Sequence, residues 1–165
     1  MHALDVLDSL VKFLSDSLQD YLLQTESGNE IPPTVHDGYL PPKLNQRSRK
    51  DEDSPVQEDC PFVIVRYLDD DDEMYNSNRV AYRIIVGTYS EDEQHGWRET
   101  LALMIRIKSI LREQQIIGSA NLVGSLKTHL FEEQRKPHWH GYMVAEFEIP
   151  QVKEKNKEMM PSGFY

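Results

Sequence analysis

The chain has 165 residues, 39% of them hydrophobic, with 18 Lys and Arg against 28 Asp and Glu and a formal net charge of -10, a size that sets the expectation of one domain. No run approaches the roughly 18 consecutive apolar residues of a membrane span, the N-terminus Met1-His2-Ala3-Leu4-Asp5 lacks the basic and apolar regions of a secretory leader, and the one cysteine, Cys60, makes neither an intrachain disulfide nor a zinc site alone, so the expectation is a cytosolic protein. The charge divides as -7 over residues 1–60, -5 over 61–95 and +2 over 96–165, which withholds the basic surplus that sequence-independent nucleic-acid binding requires.

From Ala3 to Leu23, the residues Leu7, Leu10, Val11, Leu14, Leu18, Tyr21 and Leu22 recur at three- and four-residue steps. This spacing predicts an amphipathic helix of about five to six turns, stopped at Glu26-Ser27-Gly28-Asn29. Asp5 and Asp8 fall near its positive end, where the helix dipole favours a carboxylate. Residues 24–60 hold prolines at 32, 33, 41, 42 and 55, the Asp37-Gly38 turn pair and the mixed-charge run Gln46 to Asp53. Such composition offers little to bury and predicts a long mobile connector, with Thr34 to Leu40 docking as a short strand.

Phe62 to Leu68 is aromatic and β-branched, which predicts a buried strand stopped by a charged loop, Asp69-Asp70-Asp71-Asp72-Glu73. Arg79 to Tyr89 predicts a second long strand, antiparallel to the first because the spacer is too short for a crossover helix. After Ser90-Glu91-Asp92-Glu93 the pattern turns helical from about Gln94, with a stripe of Trp97, Leu101, Met104, Ile105, Ile107 and Leu111 ended by Gly118 and Ser119. Asn121 to Phe131 alternates loosely. Trp139 to Ile149 alternates strictly, with Met143, Ala145, Phe147 and Ile149 on one face and Tyr142, Val144, Glu146 and Glu148 on the other. Gln151 to Tyr165 is a charged tail, expected to be disordered in the free monomer. The order predicts an α+β fold: a mostly antiparallel sheet of about four or five strands with two helices packed on one face, one domain over 1–150 and a flexible tail over 151–165.

Catalytic chemistry finds little support. His138 and His140 share one side of a strand and His129 lies on the preceding one, but two fixed imidazoles are too few for a metal and no sequence rule places a third ligand. The acidic run 69–73 lacks the alternating ligand spacing and the glycine of an EF-hand loop. Cys60 has no local base, no serine sits in a nucleophile elbow, and Gly118 and Gly124 are not followed by the Lys-Ser or Lys-Thr of a phosphate loop. Trp97 and Trp139 are candidate interface anchors, although a tryptophan at the start of an element is more often core. The residues point to a structural or binding role, with no catalytic residue, no cofactor and no metal.

The N-terminal amphipathic helix and Pro-Gly connector are followed by Pro61-Phe62-Val63-Ile64-Val65-Arg66. Then come Ile84-Ile85-Val86-Gly87-Thr88-Tyr89, running through Ser90-Glu91-Asp92 into Gly96-Trp97-Arg98-Glu99-Thr100-Leu101, and the last strand Trp139 to Phe147. This layout, over residues 3–150, resembles the tail terminator or tail completion proteins of tailed bacteriophages, of the siphophage type. The chain departs from that pattern in its charged insert at 43–60 and in the tail beyond Pro150. The resemblance implies a structural virion protein, usually a homohexameric ring, that caps the head-proximal end of the tail tube, stops its polymerisation and meets the head-tail connector. Its partners would be copies of itself, the tail tube protein and the connector, with DNA passing through without specific binding and no membrane contact. The host cytoplasm during assembly, then the virion, would be its location. On this reading Asp69, Asp70, Asp71, Asp72 and Glu73, with Trp97 and Arg98, are the expected interface residues. A head-completion or neck adaptor of the same virion shares this compact style, and a metal-dependent hydrolase built on His129, His138 and His140 is the remaining alternative.

Overall fold

A computed structural model describes residues 1–42 and 60–150. The first element is α1, Ala3–Ser17, whose Val6, Leu7, Leu10 and Leu14 are buried. At its start the His2 backbone N–H donates to the Asp5 carboxylate at 3.0 Å, satisfying one of the donors that a helix N-terminus leaves open. The helix is 15 residues long, about four turns rather than the five to six expected. Leu18 still packs in the core, but Leu23 leaves the helical path and pairs in a small hairpin, β1 (Leu23–Gln24) with β2 (Glu30–Ile31). The turn explains the switch. Thr25 donates from its backbone N–H at 2.8 Å and its hydroxyl at 2.9 Å to the Asn29 carbonyl, and Gly28 takes φ +88°, a conformation open to glycine.

Residues expected to be connector therefore carry structure up to Pro42. β3, Thr34–Asp37, docks parallel to β4, Phe62–Asp72, with Thr34 beside Phe62 and Asp37 beside Val65. The mixed-charge run from Gln46 and the tail from Gln151 lie outside the described residues.

β4 pairs antiparallel with β5, Asn78–Tyr89, as the short spacer requires. The acidic run departs from expectation. Asp69 to Asp72 belong to β4, opposite Ala81 to Asn78, after a register shift between Tyr67 and Asp69, and only Glu73 falls in the turn. Charge does not stop this strand, because the four aspartates are exposed while their backbones complete the ladder with β5.

Helix α2, Trp97–Gln114, buries Thr100, Leu103, Met104, Ile107, Ile110 and Leu111. Two members of the expected stripe, Trp97 and Ile105, are exposed instead, and Leu103 and Ile110 take the inward positions. Gln115 adopts φ +60°, ending the helix ahead of the expected glycine so that Ile116–Ile117 forms β6 against Asn121 and Ala120 of β7, Ala120–Leu130. The last strand, β8, His138–Ile149, pairs with β5 along its whole length and with β7 on its other side.

The principal sheet thus has six strands, not four or five, in the order β3-β4-β5-β8-β7-β6, curled into a half-barrel. Both helices contribute to one core with Val63, Val65, Val80, Tyr82, Ile84, Val86, Met143, Ala145 and Phe147, so both cover the same face. The strict alternation of β8 is as expected, with Met143, Ala145, Phe147 and Ile149 buried there. Tyr82 ties the layers, donating its hydroxyl to the Ala3 carbonyl at 2.6 Å. The opposite face, called outer below, holds only a small cluster of Cys60, Phe62, Ile64 and Tyr89, with Leu40 and Ile85 against it.

Candidate interaction surface

Cross-strand register lays the outer face out in rows, since residues opposite one another on neighbouring strands share a side. One row is Ile64, Ile85, Tyr142 and His129, and the next is Arg66, Arg83, Val144 and Lys127. Past the register shift come Asp69, Ala81, Glu146 and Val123, then Asp71, Arg79, Glu148 and Asn121. An aromatic row, a cationic row and two rows rich in carboxylates therefore follow one another across four adjacent strands.

The cationic row is stacked on aromatic rings. The Arg66 guanidinium lies 4.1 Å from the Tyr39 ring centroid and its Nε–H donates to the Gly38 carbonyl at 2.8 Å. Arg83 lies 4.8 Å from the Tyr142 centroid, and Tyr142 in turn stacks on His129 at 5.0 Å and touches Phe131 at 5.3 Å. The ion pairs among the described residues, His2 with Asp5 and His95 with Asp92, involve none of these cations. Arg83 Nε is buried and meets no acceptor among the described residues.

At the carboxylate end, Asp71, Glu73, Asn76, Ser77, Arg79 and Glu148 line an open cleft of about 320 Å³. Asn76 donates its amide to Glu73 at 2.8 Å, and Ser77 bonds Glu148. Asp70 points away from this cleft, on the side of Val80, where it accepts the Tyr67 hydroxyl. That bond raises the Tyr67 pKa above its ordinary value, with the nearby aspartates adding to it.

Trp97 and Arg98 are not brought to the acidic hairpin. The hairpin turn adjoins Asn78 at one end of β5, whereas α2 begins beyond Tyr89 at the other end, roughly 35 Å along a strand of this length. Arg98 lies 5.9 Å from the Trp97 ring, whose indole N–H donates to the Gln94 carbonyl at 3.1 Å. Asp92 organises this corner by accepting the backbone N–H groups of Gln94 and His95 at 3.0 Å each, bonds that hold its carboxyl below the ordinary range. Trp139 is buried here, its indole N–H donating to the Ser90 carbonyl at 3.1 Å, and so is core.

The three histidines go separate ways. His138 lies 5.6 Å from the Tyr89 ring, His140 lies 5.7 Å from Phe62, and His129 is stacked on Tyr142. Burial, then the charges of His138 and Arg135, push the His140 imidazole below its ordinary value. Among the described residues no group of three or more His, Cys, Asp or Glu side chains is placed to hold a metal ion, and no helix is long and apolar enough to cross a membrane.

Sequence reading places Tyr142 and Val144 on the correct face, yet misses the cationic row, because Arg66, Arg83 and Lys127 are far apart in the chain and meet only through register. No protein-family model and no curated protein matches the chain.

Proposed function

We propose that the protein is a structural virion component of a tailed bacteriophage: a ring of about six copies that caps the head-proximal end of the tail tube, ends its polymerisation and joins it to the head connector. It assembles in the host cytoplasm and remains in the virion, with DNA passing through the ring. The observation that supports this reading most is the one-sided sheet. Both helices cover one face, leaving a second face patterned in charged and aromatic rows that runs into an exposed carboxylate hairpin. A subunit that stacks or closes on neighbours needs such an unsatisfied, asymmetric surface, whereas an enzyme needs a cavity with converging reactive groups. The acidic surface also suits a channel through which DNA slides without sticking.

The test is to add purified protein to polymerising tail tube protein and measure tube length. Arrested growth with density at a single end supports the reading. Unaltered tube growth with no bound protein contradicts it, and binding to the isolated connector ahead of any tube would assign the neck-adaptor role instead.

A further inference from the structure

The outer face carries two surfaces of opposite sign that do not neutralise each other within one molecule. Arg66, Arg83 and Lys127 occupy one cross-strand row, while Asp69, Glu146, Asp71 and Glu148 occupy the next two. Side chains on one sheet face stand side by side, so neighbouring rows meet edge-on at about 7 Å. Accordingly, none of the three cations takes part in an ion pair among the described residues. Arg66 and Arg83 lie directly opposite each other, an arrangement that is unfavourable until an anion comes between or above them. Their planes are held against Tyr39 and Tyr142, which fixes the guanidinium groups in place and lowers the ordering cost of receiving a carboxylate.

We propose that this cationic row is the docking site for a second copy of the chain, which inserts the outward carboxylates of its β4–β5 hairpin, Asp69 and Asp71, over Arg66, Arg83 and Lys127 of its neighbour. The occupant follows from charge complementarity. The hairpin presents aspartates that are exposed and lie at the end of the sheet, and guanidinium groups pair carboxylates with two parallel hydrogen bonds. Donor and acceptor surfaces are different parts of the molecule, so the contact is head-to-tail and continues until it closes into a ring. The inference rests on the ring reading above and adds to it the residues that join one subunit to the next.

The experiment measures self-association of the full chain by sedimentation velocity at low and high salt, in the presence of tail tubes if these are needed for rings. Three proteins are compared: wild type, the hairpin variant Asp69→Lys/Asp71→Lys, and the row variant Arg83→Glu/Lys127→Glu, which sets a carboxylate opposite Arg66. Lys127→Glu alone, at an exposed position, serves as the variant that leaves the sheet undisturbed. Each reversal is expected to weaken association by about tenfold or more at low salt, Lys127→Glu by about threefold, and salt to weaken the wild type. Mixing the hairpin and row variants is expected to restore association, because each then offers the other a complementary surface. Rings that form equally well in every variant overturn this contact while leaving the ring reading intact. A wild type that stays monomeric even on tail tubes removes both. If the row variant instead loses binding of a labelled single-stranded oligonucleotide with no change in association, the row is a phosphate site and the proposal is wrong.

Discussion

Arg66 and Arg83 face each other in register across β4 and β5, on the sheet face that carries no helix. Opposed like charges destabilise a strand pair, and salt screens exposed charges. Added salt is therefore expected to raise the melting temperature of the wild type more than that of Arg83→Gln, a differential of about 0.2–1 kcal/mol. Thermal unfolding of both proteins at low and high salt measures it, and the comparison cancels the general response of an acidic chain. An equal response would mean that the tyrosine stacking already offsets the repulsion.

Thr88 and Thr100 join β5 to α2 through a buried hydroxyl contact of 2.7 Å. Thr100→Val leaves the Thr88 hydroxyl buried without that partner, which is expected to cost about 1–3 kcal/mol. The double variant Thr88→Val/Thr100→Val, with neither hydroxyl present, should lose less than the two single losses added together. Chemical denaturation of the four proteins in the cycle reads the coupling, and strict additivity would show that the pair acts as mere filler.

Gly141 sits in β8 where the sheet leaves no room for a side chain. A Cβ there would stand 2.9 Å from the His129 carbonyl oxygen of β7 and 2.7 Å from Met104 Cε. The methionine can move, but the carbonyl belongs to the β7–β8 ladder. Gly141→Ala is expected to destabilise by about 1–3 kcal/mol, and shortening Met104 as well should not recover the loss. A denaturation midpoint unchanged from wild type would count against this packing.

Glu99 has a raised pKa, chiefly through burial and then through the charges of Asp92 and Glu30, and its Oε2 is buried with no hydrogen-bond partner among the described residues. A carboxyl whose folded pKa lies above its unfolded one binds its proton more tightly when folded. Stability therefore falls as pH rises from the ordinary glutamate value through the raised one, and the loss persists at neutral pH. Glu99→Gln is expected to melt at a higher temperature than wild type at neutral pH, with the advantage vanishing below about pH 4. A lower melting temperature at neutral pH would reveal a favourable interaction of the ionised carboxylate.

Local pattern carried the long elements because their periodicity and their burial coincide. In β8 every second residue from Met143 to Ile149 is buried, and the alternation in the sequence says so directly. Ends were harder to read, since Leu22 and Leu23 continue the helical spacing of α1 while the Thr25 to Asn29 turn draws Leu23 into a hairpin. Four consecutive aspartates look like a loop, yet a hairpin partner is enough to hold them in a strand that water surrounds on both sides. Trp97 and Ile105 fit a helical stripe as well as Leu103 and Ile110 do, and only the position of the sheet decides which turn inward. The candidate surface was least legible of all. Arg66, Arg83 and Lys127 are brought together by the pairing of four strands, a property of register that no local window contains.

The central claim is that this chain works as a ring on a tube end, and the most direct measurement is image averaging of tail tubes incubated with the purified protein. The account predicts a cap at the head-proximal end alone, with rotational symmetry of about six and a mass to match that many 19.2 kDa subunits. Bare tube ends beside free monomer, or single copies bound along the tube wall, would contradict it.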